Sequence, residues 1–503
     1  MKHLKIDKPR LITIVFVFLI LLGVFLRFYR IGEWQYFHFD QARDYLIAYR
    51  IFNEHKFTLV GPTVLIPGVY LPPFYYYSLI PFLALSKWLP IGGDIYTALL
   101  GTLSIGLFYL LIKNVNRYSA LFLTFCYSLN PYLIQTSRHA WNPNTTNFWM
   151  LAFVLCAISF LQSKKYYLII AGAILGLSLS FHYPLLFLTP VLFGLVFIAV
   201  KKRHVGSAIL SIALFGLFVS PLVFFDLRHG WSNTRAIVTF LSGTDNLGVD
   251  IPSKISGFID TVIKLPPVFL GGLNQQQNLS IDPNAIANWS LIRPESLIWL
   301  PYFLLFWVGV YIWIKTANQP TKKLTLICLV LSSLIPIIFP AKSLYFYHFQ
   351  FILPLLFIPI GFVWNRVNLV IKTGVIVLML LPIFSLRLSQ TVKNSSYFQQ
   401  PVSLIVDDYR QSPVDTINII ANLTDHWQHH APEYRYFMTI NRLPVLSDMP
   451  NDYSLADRVY LIDEGDLVNP FELQGAEMNA FNPRATKREW ITSFNQNIYR
   501  LEK

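Results

Sequence analysis

Charged side chains are scarce in this sequence of 503 residues. They make up 13% of it, and hydrophobic residues make up 54%, whereas a soluble domain carries about 25% charged residues. The mean hydropathy is +0.47. Several apolar runs reach the roughly 20 residues that a membrane-spanning helix needs. This composition excludes an ordinary soluble protein and predicts a polytopic membrane protein.

Cysteine is also rare, and its placement excludes two kinds of site. Cys126, Cys156 and Cys328 all lie inside apolar runs. Such positions are compatible neither with a disulfide framework nor with a thiolate metal site. We therefore expect the three thiols to be small apolar residues of the protein core.

Acidic residues are fewer than basic ones, 27 against 40, which gives a net charge of +13. The basic residues concentrate in short links between the apolar runs, as is typical of cytoplasmic loops in membrane proteins. The excess of basic residues therefore indicates membrane topology, and nucleic acid is not an expected partner. The basic links are KHLKIDKPR at the start, KNVNR at 113–117, SKK at 163–165, KKRH at 201–204 and KTANQPTKK at 315–323.

The apolar runs predict about eleven transmembrane helices. A further run at 74–90 would reverse the positions of the basic links if it crossed, so we expect it to lie at the outer surface as a juxtamembrane or re-entrant helix. The N-terminus is then cytoplasmic and the C-terminus extracytoplasmic, in a plasma (inner) membrane. The predicted spans are 11–28, 94–112, 118–136, 145–162, 166–182, 184–200, 206–225, 293–314, 323–340, 345–363 and 367–387.

This topology predicts two domains, an all-α membrane domain (1–390) and a small α/β extracytoplasmic domain (391–503). The C-terminal domain contains three strand-like runs, TINIIANL, YRYFMTI and DRVYLID, between helical or turn segments. It has no phosphate-cradling glycine loop, so we expect a structural or partner-binding module. The other outer segments are the loop 29–73, the link 136–147 and the loop 226–292.

The loop 29–73 is rich in ionisable groups, with eight of them between Glu33 and His55. Asp40 and Asp44 are four residues apart, so a helix places them on one face, with Arg43 beside that face. A carboxylate held next to a guanidinium stays ionised, as a general base or a metal ligand must. Ordinary surface ion pairs are the alternative interpretation.

Four further clusters lie at predicted outer helix ends. Arginine and lysine there suit phosphate or carboxylate groups, and asparagine and tryptophan suit sugar hydroxyls and sugar faces. Interfacial anchoring and helix capping are the alternatives at each position. The candidate binding residues are Arg138, His139, Asn142 and Asn144 beside Trp141; His182; Asp226, Arg228 and His229; and Lys342 with His348.

The layout resembles the GT-C superfamily of integral-membrane glycosyltransferases, in the branch of bacterial proteins related to protein O-mannosyltransferases and aminoarabinose transferases. The matching features are a first helix that ends in arginine and aromatic residues, the outer loop FHFDQARDY, the stretch GVYLPPFYYYSLIPF, two further spans, a polar outer loop and an extracytoplasmic C-terminal domain. The resemblance covers residues 1–390.

The resemblance implies sugar transfer from a polyprenyl-phosphate-linked donor to a protein, lipid or polysaccharide acceptor at the outer face. The acidic residue of the family's first loop falls on Asp40, which would act as general base, with Arg43 and Asp44 orienting it. Arg228, Lys342, His348 and Arg138 would neutralise the departing lipid phosphate. Asp40 is followed by Gln41, where members of this kind often have a second acidic residue. We therefore expect no obligatory metal, with a divalent cation as the less favoured alternative.

Other functions stay open at this point. A transporter or flippase of a lipid-linked or anionic solute would carry ionisable residues at mid-membrane depth, and here they lie near helix ends. No internal repeat is evident, which also disfavours the inverted-repeat transporters. A non-catalytic assembly subunit would leave the charged first loop unexplained, and a polymerase or ligase acting on lipid-diphosphate glycans is the related enzymatic alternative.

Overall fold

Long apolar stretches form helices in this computed structural model, and the α-helices dominate the chain up to residue 411. The structure describes residues 8–34, 36–64, 66–113, 117–242, 251–272, 297–316, 320–335, 346–386, 393–423, 430–465, 467 and 469–503. The first helices are α1 (Lys8–Phe28), α2 (Phe39–Asn53), α3 (Phe74–Leu85), α4 (Ile91–Ile112), α5 (Arg117–Leu129), α6 (Pro131–Ser137), α7 (Thr146–Leu161), α8 (Tyr167–Ser178), α9 (Thr189–Lys201) and α10 (Val205–Arg228).

The later helices run on to the C-terminal domain, and short 3-10 segments separate several of them. The α-helices are α11 (Ser232–Ser242), α12 (Ile251–Leu270), α13 (Leu300–Thr316), α14 (Pro320–Ser333), α15 (Ile358–Trp364), α16 (Leu369–Leu380), α17 (Ser395–Gln411), α18 (Pro432–Ile440), α19 (Pro450–Leu455) and α20 (Ala476–Phe481). The 3-10 segments are Asn142–Thr145, Tyr183–Leu188, Leu297–Trp299, Phe346–Phe357, Leu381–Ser385 and Pro470–Glu472.

Within the described residues, seven segments are long and apolar enough to cross a membrane. Three other predicted spans, 118–136, 166–182 and 367–387, coincide with shorter apolar helices. The predicted span 323–340 begins in α14 and ends outside the described residues. The multi-pass membrane class is confirmed, whereas the total of eleven spans and their orientation stay predictions. The seven segments are Arg10–Phe28, Ile91–Ile112, Asn142–Leu161, Tyr183–Lys201, Val205–Arg228, Leu297–Thr316 and Phe346–Trp364.

The chain divides into two compact units. The membrane unit comprises Met1–Tyr29, Thr58–Ser78 and Asp94–Arg387. The C-terminal unit comprises Arg30–Phe57, Leu79–Gly93 and Leu388–Lys503. The C-terminal unit thus begins its main segment close to the predicted boundary at 390, but it also contains two segments from the first part of the chain.

Small residues allow close helix packing in the membrane unit. A Cβ atom on Gly172 of α8 would collide with the backbone oxygen of Ser211 in α10, so only glycine fits there. The Ser211 hydroxyl donates a hydrogen bond to the Leu168 carbonyl at 2.9 Å. Aromatic rings fill the core nearby, with Phe108 and Tyr127 stacked at 4.8 Å between ring centroids. Backbone contact and aromatic packing therefore replace the hydrophobic effect, which is weak between helices in lipid.

A four-stranded sheet organises the C-terminal domain, in the order β1-β2-β4-β3. The strands are β1 (Ile417–Asn422), β2 (Arg458–Asp463), β3 (Ala485–Ile491) and β4 (Asn497–Glu502). β1 and β2 are parallel, with α18 and α19 in the crossover between them, and the other two pairs are antiparallel. The predicted small α/β domain is confirmed, and the runs TINIIANL and DRVYLID are strands as expected.

The third predicted strand-like run, YRYFMTI (434–440), is wrong, because it lies in α18. Pro432 occupies the first turn of that helix and Glu433 lies beside it. Proline is pre-organised for a helix start, and an acidic side chain there is stabilised by the helix dipole. Its polar residues Glu433 and Arg435 are buried together with its aromatic ones, so the burial of this helix does not follow the polarity of its sequence.

Candidate active site

The helix α2 carries the predicted catalytic residues. His38 caps it, since its ring nitrogen Nδ1 accepts a hydrogen bond from the Asp40 backbone N–H at 3.1 Å. Asp40 lies in the first turn, where the helix dipole stabilises a negative charge. The buried face of the helix contains Tyr45 and Ala48 among others, whereas Asp40 is only partly buried. Asp40 therefore lies at the start of the helix, where it is less buried than Asp44 one turn later.

Arg43 binds both carboxylates of α2. Its Nη1 lies 3.0 Å from Asp40 Oδ1, and its Nη2 lies 2.9 Å from Asp44 Oδ1. The Nε of Arg43 donates to the same Asp44 oxygen at 3.0 Å. The Asp44 side chain is 1% exposed and that of Asp40 is 33% exposed. Asp44 thus fixes the guanidinium, and Asp40 is the carboxylate that solvent can reach.

The donor set of α2 does not suit a divalent cation. The guanidinium of Arg43 already lies against both carboxylates, and its fixed positive charge would repel a second cation. Among the described residues, no group of three or more histidine, cysteine, aspartate or glutamate side chains could hold a metal ion. We therefore derive no step through a metal.

The link after α6 is buried and held by hydrogen bonds within the membrane unit. Arg138 Nη1 donates to the carbonyls of Leu26 and Arg27 at 3.0 and 3.2 Å. The Ala140 backbone N–H donates to Asp94 Oδ1 at 2.9 Å. Burial lowers the pKa of the Arg138 guanidinium, and the charge of Asp94 opposes that shift. Asp94 and Arg138 thereby hold the polar link against the ends of α1 and α4.

Three more predicted binding residues, His139, Asn142 and Asn144, lie close together in the membrane unit. Asn142 Nδ2 donates to the Phe181 carbonyl at 2.7 Å, and Asn144 Nδ2 donates to the His139 carbonyl at 2.8 Å. Asn144 Oδ1 accepts from Gln350 Nε2 at 3.0 Å. The structure therefore joins the link 139–144 to Gln350, two residues after His348. The sequence alone could not predict this contact.

Two predicted histidines face each other across the same cluster. The rings of His182 and His348 are 5.7 Å apart between centroids, and His348 Nε2 shares a hydrogen bond of 2.9 Å with the Tyr183 hydroxyl. Tyr347 lies 5.6 Å from His182 and 4.7 Å from Trp141. His182 is buried, and its Nε2 has no hydrogen-bond partner in the part of the chain that the structure describes. Such an atom indicates a position for water or a ligand hydroxyl.

The predicted residues at the C-terminal end of α10 have a different environment. Asp226 accepts hydrogen bonds from the backbone N–H groups of Asn233 and Thr234, at 2.7 and 3.1 Å, and so caps α11. Asn233 Oδ1 in turn accepts from the Tyr70 backbone N–H at 2.7 Å. Arg228 and His229 are exposed at the end of α10. Asp226 therefore has a structural role that accounts for its burial.

Lys342 lies outside the described residues, as do parts of the predicted loop 226–292. The remaining predicted residues fall into the two units. Asp40, Arg43 and Asp44 belong to the C-terminal unit, and Arg138, His139, Asn142, Asn144, His182, Asp226, Arg228, His229 and His348 belong to the membrane unit.

Sequence reasoning missed Asp94, Tyr183, Tyr347 and Gln350. Asp94 begins a long apolar run, and an acidic residue at such a position is unusual enough to be a candidate. Tyr347 and Gln350 flank His348 and could have been included with it. Tyr183 gave no signal, since tyrosine is common at helix ends near the membrane interface.

Comparisons with known proteins agree with this architecture. The model of the dolichyl-phosphate-mannose-protein mannosyltransferase family matches residues 71–225, which is less than half of the chain. ArnT from Cupriavidus metallidurans, in a crystal structure bound to undecaprenyl phosphate, superposes with a TM-score of 0.56 at 12% identity, over 97% of each chain. Its apo structure gives a TM-score of 0.54 at 12% identity, over 98% of each chain.

The fold is that of the GT-C glycosyltransferases. The oligosaccharyltransferase of Archaeoglobus fulgidus, in its complex with zinc and sulfate, has a TM-score of 0.52 at 13% identity, over 89% of this chain and 67% of that one. A comparison with curated protein sequences gives no significant match. The resemblance to the GT-C fold is therefore confirmed, and the superposition on ArnT includes the C-terminal domain, which the sequence resemblance did not cover.

Proposed function

We propose that this protein transfers a sugar from a polyprenyl-phosphate-linked donor to an acceptor at the outer face of the membrane, with Asp40 as general base. The observation that carries the proposal is the pair of unlike carboxylates on α2. Asp44 is buried against Arg43, and Asp40 is half-buried beside the same guanidinium. The GT-C fold and the undecaprenyl phosphate bound to ArnT support the class of donor.

The proposed reaction needs one base and a stabilised leaving group. The acceptor oxygen forms a bond to the anomeric carbon of the sugar, and the bond from that carbon to the lipid phosphate breaks. Asp40 takes the proton of the acceptor hydroxyl, and the polyprenyl phosphate leaves with the bonding electron pair. A fixed cation stabilises the negative charge that develops on the leaving phosphate. Arg138, Arg228 and Lys342 are the candidates for that role.

We further propose that the cluster of Trp141, His182, Tyr347 and His348 binds the sugar ring. Aromatic faces stack on sugars, and the unpartnered Nε2 of His182 offers a hydrogen-bonding position for a hydroxyl. The neighbouring amides of Asn142 and Asn144 are already held by carbonyl groups and by Gln350. We therefore expect these amides to hold the cluster in place and not to contact the ligand directly.

The test is a transfer assay with the purified full-length chain in proteoliposomes. Radiolabelled polyprenyl-phosphate sugars are supplied as donors, together with protein, lipid and polysaccharide acceptor fractions. We expect label to move from the lipid into one acceptor fraction, at the same rate with and without a chelator of divalent cations. Transbilayer movement of the labelled lipid without any product would instead favour a flippase and contradict the proposal.

A further inference from the structure

The segment that precedes α2 is anchored in the C-terminal domain. The Phe37 backbone N–H donates to the Lys393 carbonyl at 3.0 Å. The Phe37 ring is fully buried, with centroids 5.8 Å from Phe398, 5.8 Å from Tyr436 and 5.5 Å from Phe437. Phe37 is only three residues before Asp40, so its position determines where the first turn of α2 begins.

The buried face of α2 continues this contact. Tyr45 is fully buried, and its ring lies 6.0 Å from Phe37 and 5.9 Å from Tyr436. A Cβ atom on Gly93 would collide with the Tyr45 ring and hydroxyl, so a glycine is required to admit this side chain. The middle of α2 is thus fixed by α18 on one side and by the start of α4 on the other.

A hydrogen bond of Tyr436 secures the far end of α2. The Tyr436 hydroxyl donates to the Trp88 carbonyl at 2.5 Å. The Trp88 ring in turn lies 5.0 Å from Tyr49 and 5.7 Å from Phe52, both in the second half of α2. Tyr436 therefore contacts Phe37 before the helix and Tyr45 in its middle through its ring, and it reaches the end of the helix through Trp88.

The anchor itself is held by a buried polar network of the domain. Glu464, which follows β2, pairs with Lys393 Nζ at 2.6 Å and accepts a hydrogen bond from the Tyr434 hydroxyl at 2.7 Å. Gln496 Nε2 donates to that same hydroxyl at 2.7 Å. The network fixes Lys393, whose carbonyl accepts the hydrogen bond from the Phe37 backbone N–H. It also connects the end of β2 and the start of β4, the two central strands, to the segment in front of α2.

We propose that the C-terminal domain positions α2, with Phe37 and Tyr436 as the positioning residues for Asp40. The inference rests on the proposed function for its catalytic consequence, but the docking of α2 stands on contacts alone. A helix of 15 residues is marginal in water by itself. The domain supplies the packing that keeps it folded and oriented. Neither positioning residue contacts the carboxylate of Asp40, so both act through the helix.

The test compares Phe37→Ala with Phe481→Ala in the full-length chain. Phe481 is an equally buried ring of the same domain, in a cluster of sheet and helix residues that includes Tyr453 and Leu461. For Phe37→Ala we expect hydrogen exchange of the α2 amides to accelerate about tenfold or more. We expect kcat to fall about 10- to 100-fold with an unchanged KM for the lipid donor, since a small displacement of a catalytic group costs this much. Phe37→Leu should recover most of kcat.

Tyr436→Phe isolates the hydrogen bond to Trp88. It keeps the ring, so we expect faster exchange only in the second half of α2 and a smaller loss of kcat. If Phe37→Ala leaves exchange in α2 unchanged, or if Phe481→Ala accelerates it equally, the domain does not position the helix and the inference is overturned. Exchange is measured without substrate. Absence of transfer in the wild type would therefore overturn the proposed function while leaving this test decisive.

Discussion

Arg43 links two carboxylates whose surroundings differ, and this difference assigns their roles. Asp44 is buried and holds the guanidinium by two of its nitrogens, at 2.9 and 3.0 Å. Asp40 is partly exposed, and its Oδ1 lies 3.0 Å from Nη1 of the same guanidinium. A buried carboxylate that loses its cation is destabilising, whereas an exposed one is tolerated.

Arg43→Gln should therefore destabilise the C-terminal unit. We expect a loss of about 1–3 kcal/mol in the free energy of unfolding, because the Asp44 carboxylate would remain buried without its cation. Thermal unfolding in detergent measures the change. The double variant Arg43→Gln/Asp44→Asn should recover much of the stability. Equal stability of wild type and Arg43→Gln would show that the pair contributes nothing.

His182 allows a separate test of the sugar-binding cluster. His182→Phe keeps a buried ring but removes the Nε2 that has no partner among the described residues. We expect the KM for the donor to rise about tenfold, the equivalent of one hydrogen bond, with little change in melting temperature. His204→Phe, in a predicted cytoplasmic link, is the matched control. A KM that stays at the wild-type value in His182→Phe would remove this residue from the binding site.

The sequence predicted the helix that carries these residues better than it predicted their partners. The four-residue spacing of Asp40 and Asp44 correctly placed both on one helix with Arg43 between them. It could not distinguish the buried carboxylate from the accessible one, because that depends on where the apolar stripe of α2 lies against another part of the chain. The contact between Asn144 and Gln350 joins residues more than 200 positions apart, and no local pattern encodes such a pairing.

At the scale of elements, burial obscures the period on which prediction depends. β1 and β2 were recognised as short apolar runs, and α18 was not recognised as a helix because apolar and aromatic residues surround it. β3 and β4 were not predicted either. β3 is largely exposed and rich in charged residues, a composition that resembles a loop when no partner strand is known.

The buried tyrosines make the C-terminal unit sensitive to alkali. Burial, and next the charge of Glu464, raise the pKa of Tyr434 well above its ordinary value. The pKa of a tyrosine in the unfolded chain is about 10. Because the folded-state pKa is higher, the contribution of this group to stability is fully present below about pH 10 and is lost as the pH rises through the folded-state pKa. We expect the free energy of unfolding to fall above about pH 10, more steeply for wild type than for Tyr434→Phe. Unfolding followed by near-ultraviolet circular dichroism measures this free energy at each pH. An identical pH dependence in wild type and Tyr434→Phe would contradict the role given to Tyr434.

At the scale of the whole molecule, the basic links predict which parts face the cytoplasm. The three native cysteines are buried and should not react with a maleimide, so single cysteines can be introduced as labelling sites. We expect a membrane-impermeant maleimide to label Ser454→Cys from outside intact cells and Lys164→Cys only after permeabilisation. Both positions are exposed in the structure. Labelling of Lys164→Cys in intact cells would contradict the predicted orientation and place this link outside.

The central claim is that Asp40 is the base of a sugar transfer, and the rate of Asp40→Asn tests it most directly. Asp407 is the control, since it forms a similar pair with Arg410 three residues later at 3.7 Å, but on the exposed face of α17. We predict that Asp40→Asn lowers the transfer of label from the polyprenyl-phosphate sugar by at least about a hundredfold, with an unchanged melting temperature, and that Asp407→Asn transfers at the wild-type rate. Wild-type transfer by Asp40→Asn would contradict the account.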